Sequence, residues 1–372
     1  MNSDAYASQR IVKFAPLAGI YAKIDALTPV EARAARLDAA IGRALAADAA
    51  VPGALPPQAI ALRDGWAVRA DAVVDAGPYA PAPLAATPPW IETGNAVLAG
   101  MDAILPAEAV VLTARGAEAL ANAAPGEGIL PAGADAAAGS VLRRSGERLR
   151  RVDLALLSAA GIETVNIREP RIRLVRANKA IGDGEDFLTP FLSKLLEASG
   201  SVAEMAPARS LEQSFTDTSV DAVFAIGGSG AGRNDKSVLT LARVGRVECH
   251  GVALLPGETA AFGIAAMPVL VLPGRFDAAL AVFLTIGRRL LARLAGAVEE
   301  APKIPLPLAR KIASQPGFAE FVALRREKEG VAPLSAGPST LAALARADGW
   351  LLVPPESEGY PAGAIVEMRL FP

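Results

Sequence analysis

The chain has 372 residues, of which 52% are hydrophobic and 20% charged, and its net charge at pH 7 is −2. This length exceeds a single compact domain of roughly 100–200 residues and predicts two to four domains. The balanced charge argues against a nucleic-acid or anionic-membrane surface, which needs a clustered basic excess. The single cysteine excludes internal disulfides and multi-cysteine metal sites, and no signal peptide or membrane-spanning run is evident, so a cytoplasmic protein is expected.

The N-terminal half predicts a helix, a β-rich region and a second helix. Thr28–Glu31 has the pattern of a capping box, and apolar residues follow at helical spacing, so one amphipathic helix is expected over about Pro29–Ala47. Between residues 51 and 138, frequent proline and glycine alternate with short β-type runs, which indicates a small β-rich domain. A helix is expected again over Val152–Ala160, followed by a short strand over Thr164–Arg168.

Residues 171–297 alternate between strands and helices, which predicts a parallel sheet covered on both faces. The expected strands are Ile172–Val175, Val202–Met205, Ala222–Ile226 and Val269–Leu272. The expected helices run from a cap at Thr189-Pro190 to Ser199, over Lys236–Ala242 and over Asp277–Leu294. Pro302–Pro307 is typical of a stiff linker, and strands are expected after it near Phe318–Leu324, Trp350–Val353 and Ala364–Leu370.

A glycine loop, Gly227–Gly232, follows the buried strand Ala222–Ile226. Glycines adopt positive φ and let backbone N–H groups approach a ligand closely, and Asp235 is expected to cap the next helix. The spacing matches neither G-x-G-x-x-G nor a Walker loop, so both an anion cradle and a simple tight turn remain open. Pro273–Arg275 falls at the same carboxyl edge of the sheet, where ligands of such folds bind.

Further motifs occur in a fixed order over nearly the whole chain: Gly42–Ala49, Leu55–Pro57, Arg63–Arg69, Glu92–Asn95, Gly100–Glu108, Gly227–Asp235, His250–Glu258 and Leu272–Arg275. In this order they resemble the MoeA family of molybdopterin molybdotransferases, which includes the gephyrin E-domain. The resemblance implies an α/β multidomain fold, elongated and homodimeric. Its expected parts are an N-terminal αβ domain (1–48 and 140–170), an inserted β-rich domain (49–139), a three-layer parallel-sheet molybdopterin-binding domain (171–300) and a C-terminal β domain (301–372).

The resemblance also implies a reaction, in which molybdate is inserted into adenylylated molybdopterin with Mg²⁺ and AMP is released, at a site between two subunits. It assigns catalytic roles to Asp64 and Asp235 and metal-binding roles to Glu108 and Asp135. Carboxylate and phosphate oxygens suit Mg²⁺, although each acidic residue taken singly also fits a turn or a solvated surface. The ligand-binding residues it implies are Thr93, Gly227, Gly228, Ser229, Gly230, Gly232, Arg233, His250, Pro256, Gly257, Pro273, Gly274 and Arg275.

Cys249 and His250 are adjacent, yet they are not expected to form a nucleophile–base pair. Successive side chains of a strand point to opposite faces, so the two groups cannot meet within one extended segment. Cys249 is therefore expected in the core.

Two lysines of the family pattern are replaced here by Leu255 and Glu258. A lost cation contributes about 1.5–3 kcal/mol to anion binding, and the added carboxylate opposes it by about 1–4 kcal/mol. The site is thus expected to bind an oxyanion about a thousandfold or more weakly than the family site. Four cations at strand ends either restore this charge or are ordinary surface residues, namely Arg176, Lys179, Arg233 and Arg275.

Two functions remain open from the sequence. The chain is either a molybdotransferase whose anion site is rebuilt with arginines, or a molybdopterin-binding carrier or regulatory paralogue without metal insertion. In the second case its partner would be a molybdoenzyme or another cofactor-synthesis protein.

Overall fold

The structure, a computed structural model, describes residues 9–177, 186–205, 210–298, 302–334 and 338–372. The chain forms two compact units. The first consists of Met1–Ala47, Ser145–Arg150 and Val165–Pro372, and the second of Asp48–Arg144 and Arg151–Thr164. This division is coarser than the four domains expected from the sequence, and their boundaries stay a prediction.

Short elements open the first unit. They are α1 (Leu17–Asp25), β1 (Arg33–Arg36), α2 (Leu37–Ala40) and β2 (Ala44–Leu45). The single helix expected over Pro29–Ala47 is wrong, because β1 and β2 flank the later strand Thr164–Arg168 in a three-stranded sheet. Gly42, with φ 78°, turns the chain between α2 and β2. Strand pairing across the chain here outweighs the helical spacing of the apolar side chains.

The second unit is β-rich, as expected. Its elements are β3 (Ala49–Ala50), β4 (Ile60–Ala61), β5 (Gly65–Val68), β6 (Ala82–Pro83), β7 (Trp90–Ile91), β8 (Ala103–Leu105), β9 (Val110–Thr113), β10 (Gly116–Ala119), β11 (Ile129–Leu130), β12 (Val141–Arg143) and α3 (Arg151–Ala159). Two three-stranded sheets have the orders β7-β5-β8 and β6-β10-β9. Trp66 of β5 packs edge-on against Trp90, with ring centroids 5.1 Å apart.

A six-stranded sheet forms the centre of the first unit. The elements of this region are β13 (Thr164–Arg168), β14 (Arg171–Arg176), α4 (Leu188–Ala198), β15 (Val202–Met205), α5 (Leu211–Thr216), β16 (Ala222–Ile226), α6 (Ser237–Val244), β17 (Arg246–His250), β18 (Leu254–Leu255), β19 (Ala261–Ile264), β20 (Pro268–Leu272), α7 (Phe276–Val282) and α8 (Arg288–Ala295). A π-helical turn, Phe283–Gly287, joins α7 to α8. The strand order is β15-β14-β16-β20-β19-β17.

The first four strands of this sheet are parallel, as predicted. At the other edge β19 and β17 are antiparallel, which the sequence pattern did not indicate. Only residues 251–260 connect these two strands. Because a parallel crossover needs about a dozen residues or more, so short a connection favours the antiparallel arrangement.

Helices cover both faces of the sheet, which confirms the three layers. Phe224 and Leu270 pack on one face with residues of α1, α4, α7 and α8. Val223 and Val271 pack on the other face with residues of α5 and α6. Neighbouring strand residues thus enter different cores, and every residue of β16 is buried.

The C-terminal part of the first unit is a β domain, as predicted. Its elements are β21 (Lys303–Pro307), β22 (Ile312–Ala313), β23 (Ala319–Glu327), β24 (Gly330–Pro333), α9 (Leu341–Leu344), β25 (Gly349–Val353), β26 (Gly359–Tyr360) and β27 (Ile365–Leu370). The main sheet has the order β18-β23-β25-β27-β21. The linker expected over Pro302–Pro307 is wrong, because β21 pairs with β27. As an edge strand, β21 tolerates proline, which lacks a backbone donor.

Candidate functional site

A cavity of about 780 Å³ opens in the first unit at the carboxyl ends of the parallel strands β14, β16 and β20. Both segments that the sequence placed at this edge, the glycine loop and the turn after β20, line it. Its lining residues are Arg176, Phe187, Leu188, Ile226, Gly227, Gly228, Ser229, Gly230, Asp235, Leu255, Pro256, Glu258, Thr259, Pro273, Gly274, Arg275, Phe276, Asp277, Ala278, Pro338, Ser339 and Leu341.

The loop after β16 requires glycine at its first two positions. Gly227 and Gly228 have φ of 82° and 71°, a region that side chains disfavour. A Cβ atom on Gly228 would also lie 2.5 Å from the Oγ of Ser237. The backbone at this turn is therefore closely fitted to the start of α6.

Donors from the protein hold the carbonyl groups of this loop. Ser237 Oγ donates to the Gly227 oxygen at 2.8 Å, and His250 Nε2 donates to the Ser229 oxygen at 2.9 Å. Gln9 Nε2 donates to the oxygens of Gly228 and Gly230, at 2.7 Å each. The carbonyls thus face the protein.

The N–H groups of the loop face the other way. In a planar trans peptide the N–H points opposite to the preceding carbonyl, so the N–H groups of Gly228, Ser229 and Gly230 point away from those donors. Within the part of the chain that the structure describes, these three N–H groups have no hydrogen-bond partner. All three residues line the cavity. Backbone N–H groups arranged in this way suit an anion.

Asp235 closes the loop and does not cap α6. Its Oδ2 accepts the N–H of Gly232 at 2.9 Å, whereas Lys236 is the N-cap residue and makes no side-chain cap bond. The expected cap is therefore wrong. Asp235 lines the cavity, while Gly232 and Arg233 are exposed and lie outside its lining.

The turn after β18 brings a carboxylate to the cavity. Pro256 follows a cis peptide bond, and Gly257 has φ 131°. Glu258 Oε2 accepts the N–H of Gly257 at 3.0 Å. The hydroxyls of Thr259 and Ser229 lie 3.1 Å apart and join this turn to the glycine loop. Leu255 and Glu258, the two positions that the resemblance aligned with lysines, therefore both line the cavity, and the second is acidic.

Arg275 lies at the start of α7 and is paired. Its Nη2 is 2.8 Å from Oδ2 of Asp277, which also accepts the N–H of Ser339 at 3.1 Å. Pro273 and Gly274, which precede Arg275 in the chain, also line the cavity. The positive charge of Arg275 is thus already compensated.

Arg176 at the end of β14 forms an ion pair with Asp186. Asp186 also accepts the N–H of Thr189 at 3.1 Å, so α4 begins at Leu188 and Thr189 is not its cap. Burial raises the pKa of Asp186, but bonds from Thr189 and the charge of Arg176 outweigh it and hold that pKa below its ordinary value. The fourth candidate cation, Lys179, lies outside the described residues.

A cluster of phenylalanine side chains lies beside the charged residues of the cavity. Phe276 packs against Phe191 and Phe187, with ring centroids 5.0 and 6.1 Å apart. Phe187 lines the cavity and remains 60% exposed. A planar ring can stack on such a surface.

His250 and Cys249 have separate environments. His250 supports the loop through Ser229 and does not line the cavity. Cys249 packs against the core, and burial raises the pKa of its thiol to about 11. The predicted absence of a nucleophile–base pair is consistent with these contacts.

Asp64 and Thr93 meet in the second unit. Asp64 Oδ1 accepts the backbone N–H of Thr93 at 2.7 Å and its hydroxyl at 2.8 Å. These two bonds lower the pKa of Asp64. Glu108 lies in a short 3₁₀ turn, Ala107–Ala109, and both it and Asp135 are exposed.

A preformed magnesium cage is absent from the described residues, where no three His, Cys, Asp or Glu side chains come together as a metal site. Mg²⁺ is commonly held by one or two carboxylates together with substrate phosphates. Glu108 and Asp135 as its ligands stay predictions, and no reaction step is derived through the ion.

Among the described residues, none of the helices has the length and apolar character needed to cross a bilayer.

Gln9, which holds the glycine loop, was missed by the sequence interpretation, because an isolated glutamine carries no local pattern.

Comparisons with known proteins find two matching family models. The MoeA N-terminal region (domains I and II) matches residues 10–161, and the MoeA C-terminal region (domain IV) matches residues 305–371. Together these ranges cover more than half of the chain.

Two curated proteins are similar over part of their length. A protein of Methanocaldococcus jannaschii named for molybdopterin biosynthesis is 25% identical over 272 residues, 66% of each chain. A molybdopterin molybdenumtransferase of Haemophilus influenzae is 28% identical over 225 residues, 55% of this chain and 56% of that protein. The similarity thus spans about two thirds and about half of these relatives.

Solved structures match nearly the whole chain. Two structures of the molybdopterin biosynthesis MoeA protein of Pyrococcus horikoshii superpose with TM-scores of 0.80 and 0.79, at 24% identity, over 96% of this chain and 99–100% of theirs. A molybdenum cofactor biosynthesis protein of Pyrococcus furiosus gives 0.63 at 19% identity, over 96% of this chain and 100% of that chain. At these identities the matches show a shared fold.

Proposed function

The chain belongs to the MoeA family, and on this basis we propose that it acts in molybdenum cofactor biosynthesis and binds adenylylated molybdopterin. The observation that carries the proposal is the glycine loop, with three successive backbone N–H groups available on the cavity side. Such N–H groups suit a phosphate oxygen. The cavity of about 780 Å³ lies within the size range of small-molecule sites.

The remaining lining suits the rest of such a ligand. Phe187 and Phe276 offer a surface for a planar ring, the pterin or the adenine. The phosphate end would lie on Gly228–Gly230, at the carboxyl edge of the sheet where ligands of these folds bind.

The proposed reaction is insertion of molybdate into the adenylylated pterin with release of AMP. The charge of the cavity makes this step slow in the present chain. Its lining carboxylates are Asp235, Glu258 and Asp277, and its two lining arginines each already pair with a carboxylate. The described lining thus supports binding of the pterin nucleotide better than binding of a free oxyanion.

A second candidate follows from Glu258 at the position of a family lysine. A molybdopterin-binding carrier or regulatory protein would not need to hold molybdate, and its partner would be a molybdoenzyme or another cofactor-synthesis protein. Molybdate-dependent release of AMP from the bound adenylylated pterin distinguishes the two. Release at a catalytic rate supports the transferase, and tight binding without release supports the carrier.

The same family membership leads us to propose a cytoplasmic homodimer, with Asp64 as a catalytic residue, Thr93 as a ligand-binding residue, and Glu108 and Asp135 as ligands of Mg²⁺. Light scattering at micromolar protein is expected to give the mass of a dimer. A monomer at that concentration would contradict the proposed assembly. The variant Asp64→Asn is expected to lose magnesium-dependent turnover, because the substitution removes the carboxylate.

A further inference from the structure

Gln9 is a buried polar side chain placed against the glycine loop. It is 6% exposed. Its Nε2 donates to the carbonyl oxygens of Gly228 and Gly230, at 2.7 Å each, and its Oε1 accepts the N–H of Leu239 in the first turn of α6 at 3.2 Å. An amide has two N–H donors, and here each has a carbonyl partner.

The segment that carries Gln9 is anchored independently of the loop. Ala15 donates its N–H to Gly251 at 2.9 Å and accepts the N–H of Ala253 at 2.8 Å. Phe14 packs edge-on against Phe318, with ring centroids 5.0 Å apart. The chain at Phe14 and Ala15 is therefore held by contacts that a change of the Gln9 side chain leaves in place.

Two donors to the Gly228 oxygen fix the plane of the following peptide: Gln9 Nε2 at 2.7 Å and the backbone N–H of Ser237 at 3.1 Å. That plane carries the N–H of Ser229, the middle one of the three N–H groups on the cavity side. Ser237 and His250 fix the planes on either side of it. Without Gln9, the plane between Gly228 and Ser229 would keep only the longer bond from the Ser237 N–H, and the Gly230 oxygen would lose its bond from Gln9.

We infer that Gln9 is a positioning residue that aims the N–H of Ser229 at a phosphate oxygen of the ligand. This inference rests on the proposed function, because it takes the glycine loop as the phosphate site. Gln9 acts from the opposite side of the loop and does not touch the ligand.

Gln9→Glu is the sharpest test, because it keeps the size of the side chain and the oxygen that accepts from Leu239. It removes both donors to the loop and places a carboxylate beside two carbonyl oxygens. Loss of two hydrogen bonds and the new repulsion predict binding of adenylylated molybdopterin weaker by about 10- to 100-fold at pH 8. The same changes lower the folding stability, so thermal unfolding is measured to show that the variant is folded at the temperature of the binding assay.

The pH dependence separates positioning from a structural role. A glutamate side chain has an ordinary pKa of about 4.3, which burial raises. Near pH 5 part of the population regains a proton and can donate to one carbonyl, so the loss relative to wild type at the same pH should shrink. Gln315→Glu makes the same chemical change at an exposed position and is the matched control.

The binding measurement, by calorimetry, includes Gly230→Val as a loop variant. Wild-type-like affinity of Gln9→Glu at both pH values, with binding lost in Gly230→Val, would overturn the positioning role and leave the proposed function standing. Absence of binding by the wild type would overturn both. Amide hydrogen exchange of the proteins saturated with adenylylated molybdopterin adds a second measurement: faster exchange over residues 228–231 in Gln9→Glu than in Gln315→Glu supports the inference, and equal rates contradict it.

Discussion

Replacement of Glu258 by lysine is expected to turn a site that opposes oxyanions into one that binds them. The Glu258 side chain lines the cavity, half-buried, with Oε2 on the N–H of Gly257 at 3.0 Å. An anion about 4 Å away interacts with a unit charge by about 1 kcal/mol in water and about 4 kcal/mol near a protein surface. Changing the side-chain charge from −1 to +1 removes one such repulsion and adds one such attraction, so the free energy of anion binding changes by twice this value.

Solvent screening at a half-exposed position favours the lower part of this range. A gain of about 2–4 kcal/mol corresponds to molybdate binding tighter by about 30- to 700-fold. Loss of the bond to Gly257 is expected to cost about 1 kcal/mol of folding stability. Thermal unfolding measures that cost separately.

The matched control is Glu258→Gln, which removes the charge and keeps an oxygen for the Gly257 N–H. It is expected to give about half of the gain in free energy. Calorimetric titration of molybdate into protein saturated with adenylylated molybdopterin is the assay, with AMP release as the second readout. The gain should shrink as ionic strength rises. Affinities of both variants within twofold of wild type would refute the reasoning.

Four further outcomes are expected. Gly230→Val should lose pterin-nucleotide binding with its fold intact, because a Cβ there would lie 2.8 Å from an aspartate Oδ2; unchanged affinity would make the loop only a turn. Asp277→Asn, which releases the paired arginine, should tighten anion binding about tenfold, and unchanged affinity would mean that this arginine does not face the anion. Burial raises the pKa of Glu169, yet two arginine partners outweigh burial and lower that pKa. The stabilisation from this carboxylate exists above its ordinary pKa and is lost as the pH falls. Between pH 5 and 3 the wild type should therefore lose more unfolding free energy than Glu169→Gln, and parallel curves for the two proteins would contradict this. Cys249, with a pKa of about 11, should be alkylated at pH 8 about 200-fold more slowly in the folded than in the unfolded chain, where a free thiol has a pKa of about 8.5; equal rates would contradict its burial.

Local patterns predicted the centre of the fold because a strand covered on both faces is continuously apolar. β16 is such a strand, and every residue in it is buried. The same patterns failed where a distant partner decides the structure. Pro302–Pro307 is proline-rich and reads as a linker, yet it forms the edge strand β21 against β27. The apolar residues of Pro29–Ala47 have helical spacing, yet this segment forms β1 and β2, which pair with β13.

The candidate site was predictable in its backbone and less so in its charges. The glycines and the position of Glu258 follow from local motifs. The pairing of Arg275 with Asp277, which compensates the expected cation, depends on side-chain geometry at the start of α7. Gln9 lies 219 residues from Gly228, and no local pattern connects two positions so far apart.

Calorimetric titration of adenylylated molybdopterin into the wild type and Gly230→Val tests the central claim most directly. Binding of one ligand per chain by the wild type, abolished in a folded Gly230→Val, is the predicted result. No binding by the wild type, or equal binding by both proteins, would contradict the assignment of the glycine loop as the pterin-nucleotide site.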